Sequence, residues 1–69
     1  MPLAMAKAGD TVTIRRITGQ EELRRRLTDL GFVENANVTV VSELAGCLIV
    51  QVKESRVALD RGMANQILV

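Results

Sequence analysis

Residues 18–32 read Thr18-Gly19-Gln20-Glu21-Glu22-Leu23-Arg24-Arg25-Arg26-Leu27-Thr28-Asp29-Leu30-Gly31-Phe32. Leu23, Leu27 and Leu30 recur at i, i+4 and i+7, the apolar stripe of a helix with one buried face. Both ends carry signals. Thr18 with Glu21 three residues on has the form of a capping box. Gly31 stands where a helix ends in a left-handed C′ residue, and Phe32, as C″, is then expected to meet Leu27 at C3. Glu21 and Glu22 suit the positive end of the helix dipole, and Glu21–Arg25 and Glu22–Arg26 stand in the favoured i,i+4 order. The spacing predicts a helix over about residues 20–30.

On either side of the helix the period is two. Thr11 to Ile17 is rich in β-branched residues, with Val12 and Ile14 alternating against Thr11, Thr13 and Arg15, so a strand is expected. Leu3 is expected to anchor the leading residues on the core. After the helix, Glu34 to Asn37 supplies turn residues, and Asn35 or Asn37 tolerates positive φ. Val38 and Val40 mark a second strand. A reversal at Ala45-Gly46 leads to a third over Cys47 to Lys53, with Leu48, Val50 and Val52 on one face. A turn at Glu54-Ser55 leads to a fourth over Arg56 to Leu59, carrying Val57 and Leu59 inward. Asp60 to Asn65 reads as one helical turn, with Met63 and Ala64 covering an end of the core. Gln66 to Val69 closes as a fifth strand. Most connections are too short for parallel crossovers. A flat sheet of this size would leave an apolar face wet, whereas a barrel buries it and consumes most edges. The expected fold is mainly β: one domain over residues 1–69, a small five-stranded SH3-like barrel with one inserted helix (about residues 20–30) and a short helical turn near 60–65.

Composition narrows the chemistry. Apolar residues make up 48% of the 69, and nine Lys plus Arg against eight Asp plus Glu leave a net charge of +1. That balance disfavours a nucleic-acid binder relying on a phosphate-neutralising field. Histidine, tryptophan and tyrosine are absent, and Phe32 is the lone aromatic residue. Histidine-based nucleophile pairs and metallohydrolase triads cannot be assembled. With Cys47 the sole soft donor, a thiolate or imidazole metal cage fails too. The acids follow no calcium-loop spacing, and glycines at 9, 19, 31, 46 and 62 form no phosphate loop. No enzyme and no resident cofactor are expected. One cysteine excludes an internal disulfide, and the chain shows no secretory leader, so a reducing cytoplasm is the expected location. The longest apolar run, Leu44 to Val50, has seven residues, where a membrane span needs about 20. No direct membrane insertion is expected.

Several pieces together resemble the ferrous iron transport protein A family, FeoA. They are Ala6-Lys7-x-Gly9, the arginine-rich helix ending Leu30-Gly31-Phe32, Val38-x-Val40, and the run Ser55-Arg56-Val57-Ala58-Leu59-Asp60-Arg61 followed by Ala64 and Ile67. The likeness runs from about Leu3 to Val69. It implies an SH3-like barrel and a non-enzymatic accessory role in ferrous iron uptake. The implied partner is the cytoplasmic GTPase region of the transporter FeoB, which would recruit the protein to the cytoplasmic face of the inner membrane. Related domains also end iron- and manganese-dependent repressors, so the alternative is a transition-metal sensor. It would hold Fe2+ or Mn2+ weakly through carboxylates and carbonyls. One departure lies after the helix, where the family commonly has Pro-Gly and this chain has Glu34-Asn35.

The expected partner-binding residues are Arg24, Arg25, Arg26, Phe32 and Glu34. Each also has a plainer reading. The three arginines can form a solvated helix face neutralised by Glu21, Glu22 and Asp29. Gly31 and Phe32 are already explained by the helix terminus. Asp60 between Arg56 and Arg61 suggests a surface ion pair, and Cys47 a small packing residue. Among Leu44, Ile49 and Met63 some must point away from so narrow a core, and an exposed apolar cluster there would be a partner site. The near absence of aromatic residues disfavours a proline-peptide groove or base stacking.

Overall fold

The computed structural model describes all 69 residues. Its larger sheet is antiparallel, in the order β1 (Thr11–Thr13), β3 (Asn37–Leu44), β4 (Cys47–Val52) and β5 (Ser55–Asp60). A second sheet pairs β2 (Arg16–Ile17) with β6 (Ile67–Leu68). Helix α1 covers Glu21–Asp29, α2 covers Arg61–Asn65, and a 3-10 turn covers Leu3–Met5.

The fold is mainly β, as the sequence implies, but the strand expected over Thr11 to Ile17 is two strands. The reason lies in adjacent amides. Ile14 N–H donates to the Ala36 carbonyl at 2.9 Å, whereas Arg15 N–H donates to the Leu68 carbonyl at 2.7 Å. The chain thus leaves one sheet and enters the other within a single residue. Val12 and Ile14 keep their inward alternation, half-buried and buried respectively. Six strands in two sheets replace the expected five.

Both sheets close on one core. Its thirteen buried residues are all apolar: Leu3, Ala6, Ile14, Leu27, Phe32, Val38, Val40, Leu48, Val50, Val52, Leu59, Ala64 and Ile67. Leu48, Val50 and Val52 supply one face of β4, and Leu3 anchors the leading residues. The β3–β4 register shifts between Val40 and Ser42. A bulge of this kind re-aims the side chains beyond it, and Leu44 ends up 70% exposed.

Turn chemistry fixes the hairpins. Ala45 and Gly46 both have positive φ, 53° and 81°, as the two-residue type I′ connection requires. The next reversal uses Lys53-Glu54 rather than Glu54-Ser55, with Lys53 at φ 55° and Ser55 already paired with Val52. Asp60 caps α2, its Oδ1 accepting from Met63 N–H at 2.7 Å. Ala64 is then buried and Met63 half-buried over one end of the core. At the other extremity of the sequence, the Met1 ammonium donates to the Val69 carbonyl at 2.9 Å. Val69 N–H answers to the Met1 carbonyl at 2.7 Å.

Candidate functional site

The site is built around the end of α1. Gly31 N–H donates to the Thr28 carbonyl and Phe32 N–H to the Leu27 carbonyl, both at 3.0 Å. These are the two bonds of a Schellman termination, and Gly31 supplies the φ of 106° that it needs. Leu27 and Phe32 are both wholly buried. Leu30 is not: at the C-cap, where the chain turns away, it stands 41% exposed. Phe32 enters the core in its place, and the leucine stripe is one member shorter than its spacing implied.

The start of the helix also differs from expectation. Its N-cap is Gln20, without a side-chain bond. Gly19, at φ 100°, turns the chain before the helix begins, so Thr18 is carried out of capping reach. Its hydroxyl donates instead to Gln66 Oε1 at 2.6 Å and to the Gln66 carbonyl at 3.3 Å. The Thr18 N–H donates to the same carbonyl at 2.8 Å. Thr18 ties the entry of α1 to the residue before β6.

Between α1 and the following turn lies an open groove of about 340 Å³, lined by Ile17, Glu21, Arg24, Arg25, Thr28, Phe32, Val33 and Glu34. Four of the five sequence-nominated residues meet here. Arg24 and Arg25 come from the exposed side of α1. Glu34 stands on a turn closed by Ala36 N–H donating to the Val33 carbonyl at 3.1 Å, with Asn35 at φ 70°. Phe32 has no exposed surface, so it supports the floor and offers no contact of its own. Arg26 lies on the other flank of the helix, beside Gln20, Glu22 and Leu23. Sequence reasoning missed Ile17, Thr28 and Val33, and read Glu21 only as a neutralising neighbour of the arginines. Thr28 was in principle within reach, standing four residues after Arg24, whose carbonyl accepts its hydroxyl at 2.8 Å.

The groove mixes charges. Arg25 pairs with Glu21 at 3.5 Å, but Glu22 and Arg26 form no ion pair, and neither does Arg24. Arg24 is therefore an exposed cation outside any ion pair, and Glu34 lines the same groove. Elsewhere Arg61 bridges to Glu43 at 3.6 Å rather than to Asp60. Arg56 Nε donates to Gln51 Oε1 at 3.4 Å. Cys47 is half-buried at the start of β4, as are Ile49 and Met63, so Leu44 alone of the three apolar candidates is fully outside. No three of the Asp, Glu and Cys side chains converge on one point. A metal held here would need backbone carbonyls or water to complete its shell.

A protein-family model described as FeoA domain matches residues 1–69. A curated protein of Methanocaldococcus jannaschii named Fe(2+) transport protein A is 32% identical over 68 residues, 99% of this chain and 83% of that protein. Among solved structures, the zinc complex of Stenotrophomonas maltophilia FeoA, described as a procaryotic SH3 domain protein, superposes with a TM-score of 0.87. The identity is 26%, covering 99% of this chain and 87% of that one. A manganese-dependent transcriptional repressor gives the same TM-score and identity, but this chain spans only 39% of it.

Proposed function

The chain belongs to the FeoA domain family, and from that membership we propose a non-enzymatic accessory protein of ferrous iron uptake that docks on the cytoplasmic part of the transporter FeoB. It acts by contact. No helix is long and apolar enough to cross a membrane; the proposed place, taken from the family, is the cytoplasm, with recruitment to the membrane face through the partner. The observation that carries this reading is the groove beside α1. Arg24 is free of internal ion pairs, Arg25 is held by one exposed carboxylate, and Glu34 lines the same groove. An uncommitted arginine beside a singly paired one on the same helix suits protein contact, where Arg is enriched over Lys. A rigid domain of this kind biases its partner toward whichever state it binds better.

Amide chemical-shift mapping on addition of the transporter's cytosolic GTPase domain tests the docking. Shifts are expected at Arg24, Arg25, Val33 and Glu34, and the double variant R24E/R25E should abolish capture in a pull-down while keeping the wild-type fold. Undiminished capture of that variant removes the helix face from the interaction.

The likeness to the manganese-dependent repressor, at 26% identity, favours one second reading, a transition-metal-sensing domain that holds Fe2+ or Mn2+ weakly. Titration with ferrous or manganous ion separates the two. Localised, saturable NMR shifts or broadening at micromolar metal support sensing. Their absence leaves the docking role.

A further inference from the structure

Strand β5 is an edge. It pairs with β4 on one side, and no residue from Ser55 to Asp60 makes a backbone bond to a segment on the other side. The two-residue turn at Lys53-Glu54 makes Val52 and Ser55 the first hydrogen-bonded pair, and such pairs alternate along an antiparallel ladder. Ser55, Val57 and Leu59 therefore direct their N–H and C=O groups at β4. Those of Arg56 and Ala58, and the N–H of Asp60, point away from the sheet. The side chains divide in the same way. Val57 and Leu59 turn inward, whereas Arg56, Ala58 and Asp60 are exposed on the outer face.

Natural edges of this length are normally blunted by proline, lysine, a bulge or a covering segment. Proline, lysine and a bulge are absent here: the strand runs six residues, Ser55-Arg56-Val57-Ala58-Leu59-Asp60, in unbroken register with β4, and its exposed charges are one of each sign, Arg56 and Asp60. Its charge pattern is also self-complementary. In an antiparallel pairing of two copies about a two-fold axis through Ala58, Arg56 of one copy lies opposite Asp60 of the other, twice. Val57 then lies opposite Leu59 on the inner side. The central pair in this register, Ala58 with Ala58, exchanges bonds through the outward-pointing groups. Displacing the register by two residues leaves Arg56 or Asp60 opposite Ala58 in both halves, and displacing it by four can set Arg56 opposite itself, so either slip loses both ion pairs.

We propose that β5 is a self-association edge: two copies of this chain join β5 to β5, antiparallel and centred on Ala58, into one continuous eight-stranded sheet. Asp60 keeps its capping bond to Met63 N–H through Oδ1, and Oδ2 is left to meet the arginine. The small contact places the dimer at the weak end of specific interfaces. This surface is separate from the groove beside α1.

Sedimentation equilibrium over a micromolar-to-millimolar range tests it. The wild-type chain is expected to double its mass reversibly with concentration. R56E puts like charges opposite one another at both ends of the register and should weaken association about tenfold or more. A58P removes the central donor without touching a bond to β4, and should leave a monomer whose circular dichroism is native. The decisive arm mixes chains. R56E and D60R proteins, each self-repelling and each first shown to have native circular dichroism because D60R also gives up the Met63 cap, should form a heterodimer together, because every opposed pair is then of opposite sign. A wild-type chain that stays monomeric at millimolar concentration overturns the proposal, as does an R56E chain that associates like wild type or a mixture that forms no heterodimer. The outcome for groove variants of Arg24 and Arg25 is independent of all three.

Discussion

Phe32 N–H donates to the carbonyl of Leu27 at 3.0 Å, and neither side chain of the pair has any surface exposed. One bond thus ends the helix and seats the chain's single aromatic ring in the core. It also leads into the turn that brings Glu34 to the groove lined by Arg24. Local termination and global packing are a single event at this point in the sequence.

Gly31 makes that event feasible. A Cβ there would find ordinary contacts, the nearest being Val52 Cγ1 and Cγ2 at 3.7 Å, so the obstacle is backbone conformation. With φ at 106°, Gly31→Ala should cost about 1–2 kcal/mol. A urea titration reads this as a lower midpoint with an unchanged slope. A midpoint equal to wild type would mean that the turn does not require glycine.

Removing the ring should be far more damaging. Phe32→Ala is expected to destabilise by about 3–5 kcal/mol, against a total of only several kcal/mol for a domain of this size. Much of the population should be unfolded by circular dichroism at ordinary temperature. Phe32→Leu keeps most of the volume and should fold with a lowered melting temperature. It should also retain partner binding, because the buried ring makes no contact of its own.

Thr18 is expected to act as a clasp between α1 and β6. Thr18→Val preserves shape but deletes the hydroxyl bonds to Gln66, at 2.6 and 3.3 Å, and should cost about 1 kcal/mol. Hydrogen exchange distinguishes this from a capping role. Acceleration should fall on the Thr18 amide and on the β2–β6 pairing, while the Glu21 amide is unaffected.

The β3–β4 hairpin offers a gain. Ala45 occupies φ 53° beside Gly46 at φ 81°, a conformation that asparagine tolerates better than alanine. Ala45→Asn should stabilise the protein by up to about 1 kcal/mol, raising the urea midpoint. A lowered midpoint would show that the turn is not limited by its own strain.

Most of the architecture was legible because its signals are local. The Gly31-Phe32 terminus, the Ala45-Gly46 reversal and the Leu48, Val50, Val52 face each depend on neighbours within a few residues. What escaped depends on distant partners. The division of Thr11–Ile17 is decided by Ala36 and Leu68, which compete for consecutive amides. Thr18 was drawn from the helix by Gln66, 48 residues away. The groove was half legible: charge and position nominated Arg24, Arg25 and Glu34, but only the folded chain brings Ile17 and Val33 beside them. Arg26, adjacent in sequence, lies on the other flank because successive residues on a helix face different ways.

The reciprocal bonds between Met1 and Val69 bring the two chain termini into direct touch, which makes this barrel a ring in all but one covalent link. A circular permutant that joins Val69 to Met1 through a short glycine linker, and is cut open between Ala45 and Gly46, should keep every strand partner except at the opened hairpin. Cargo fused at either terminus would leave the molecule from the same corner.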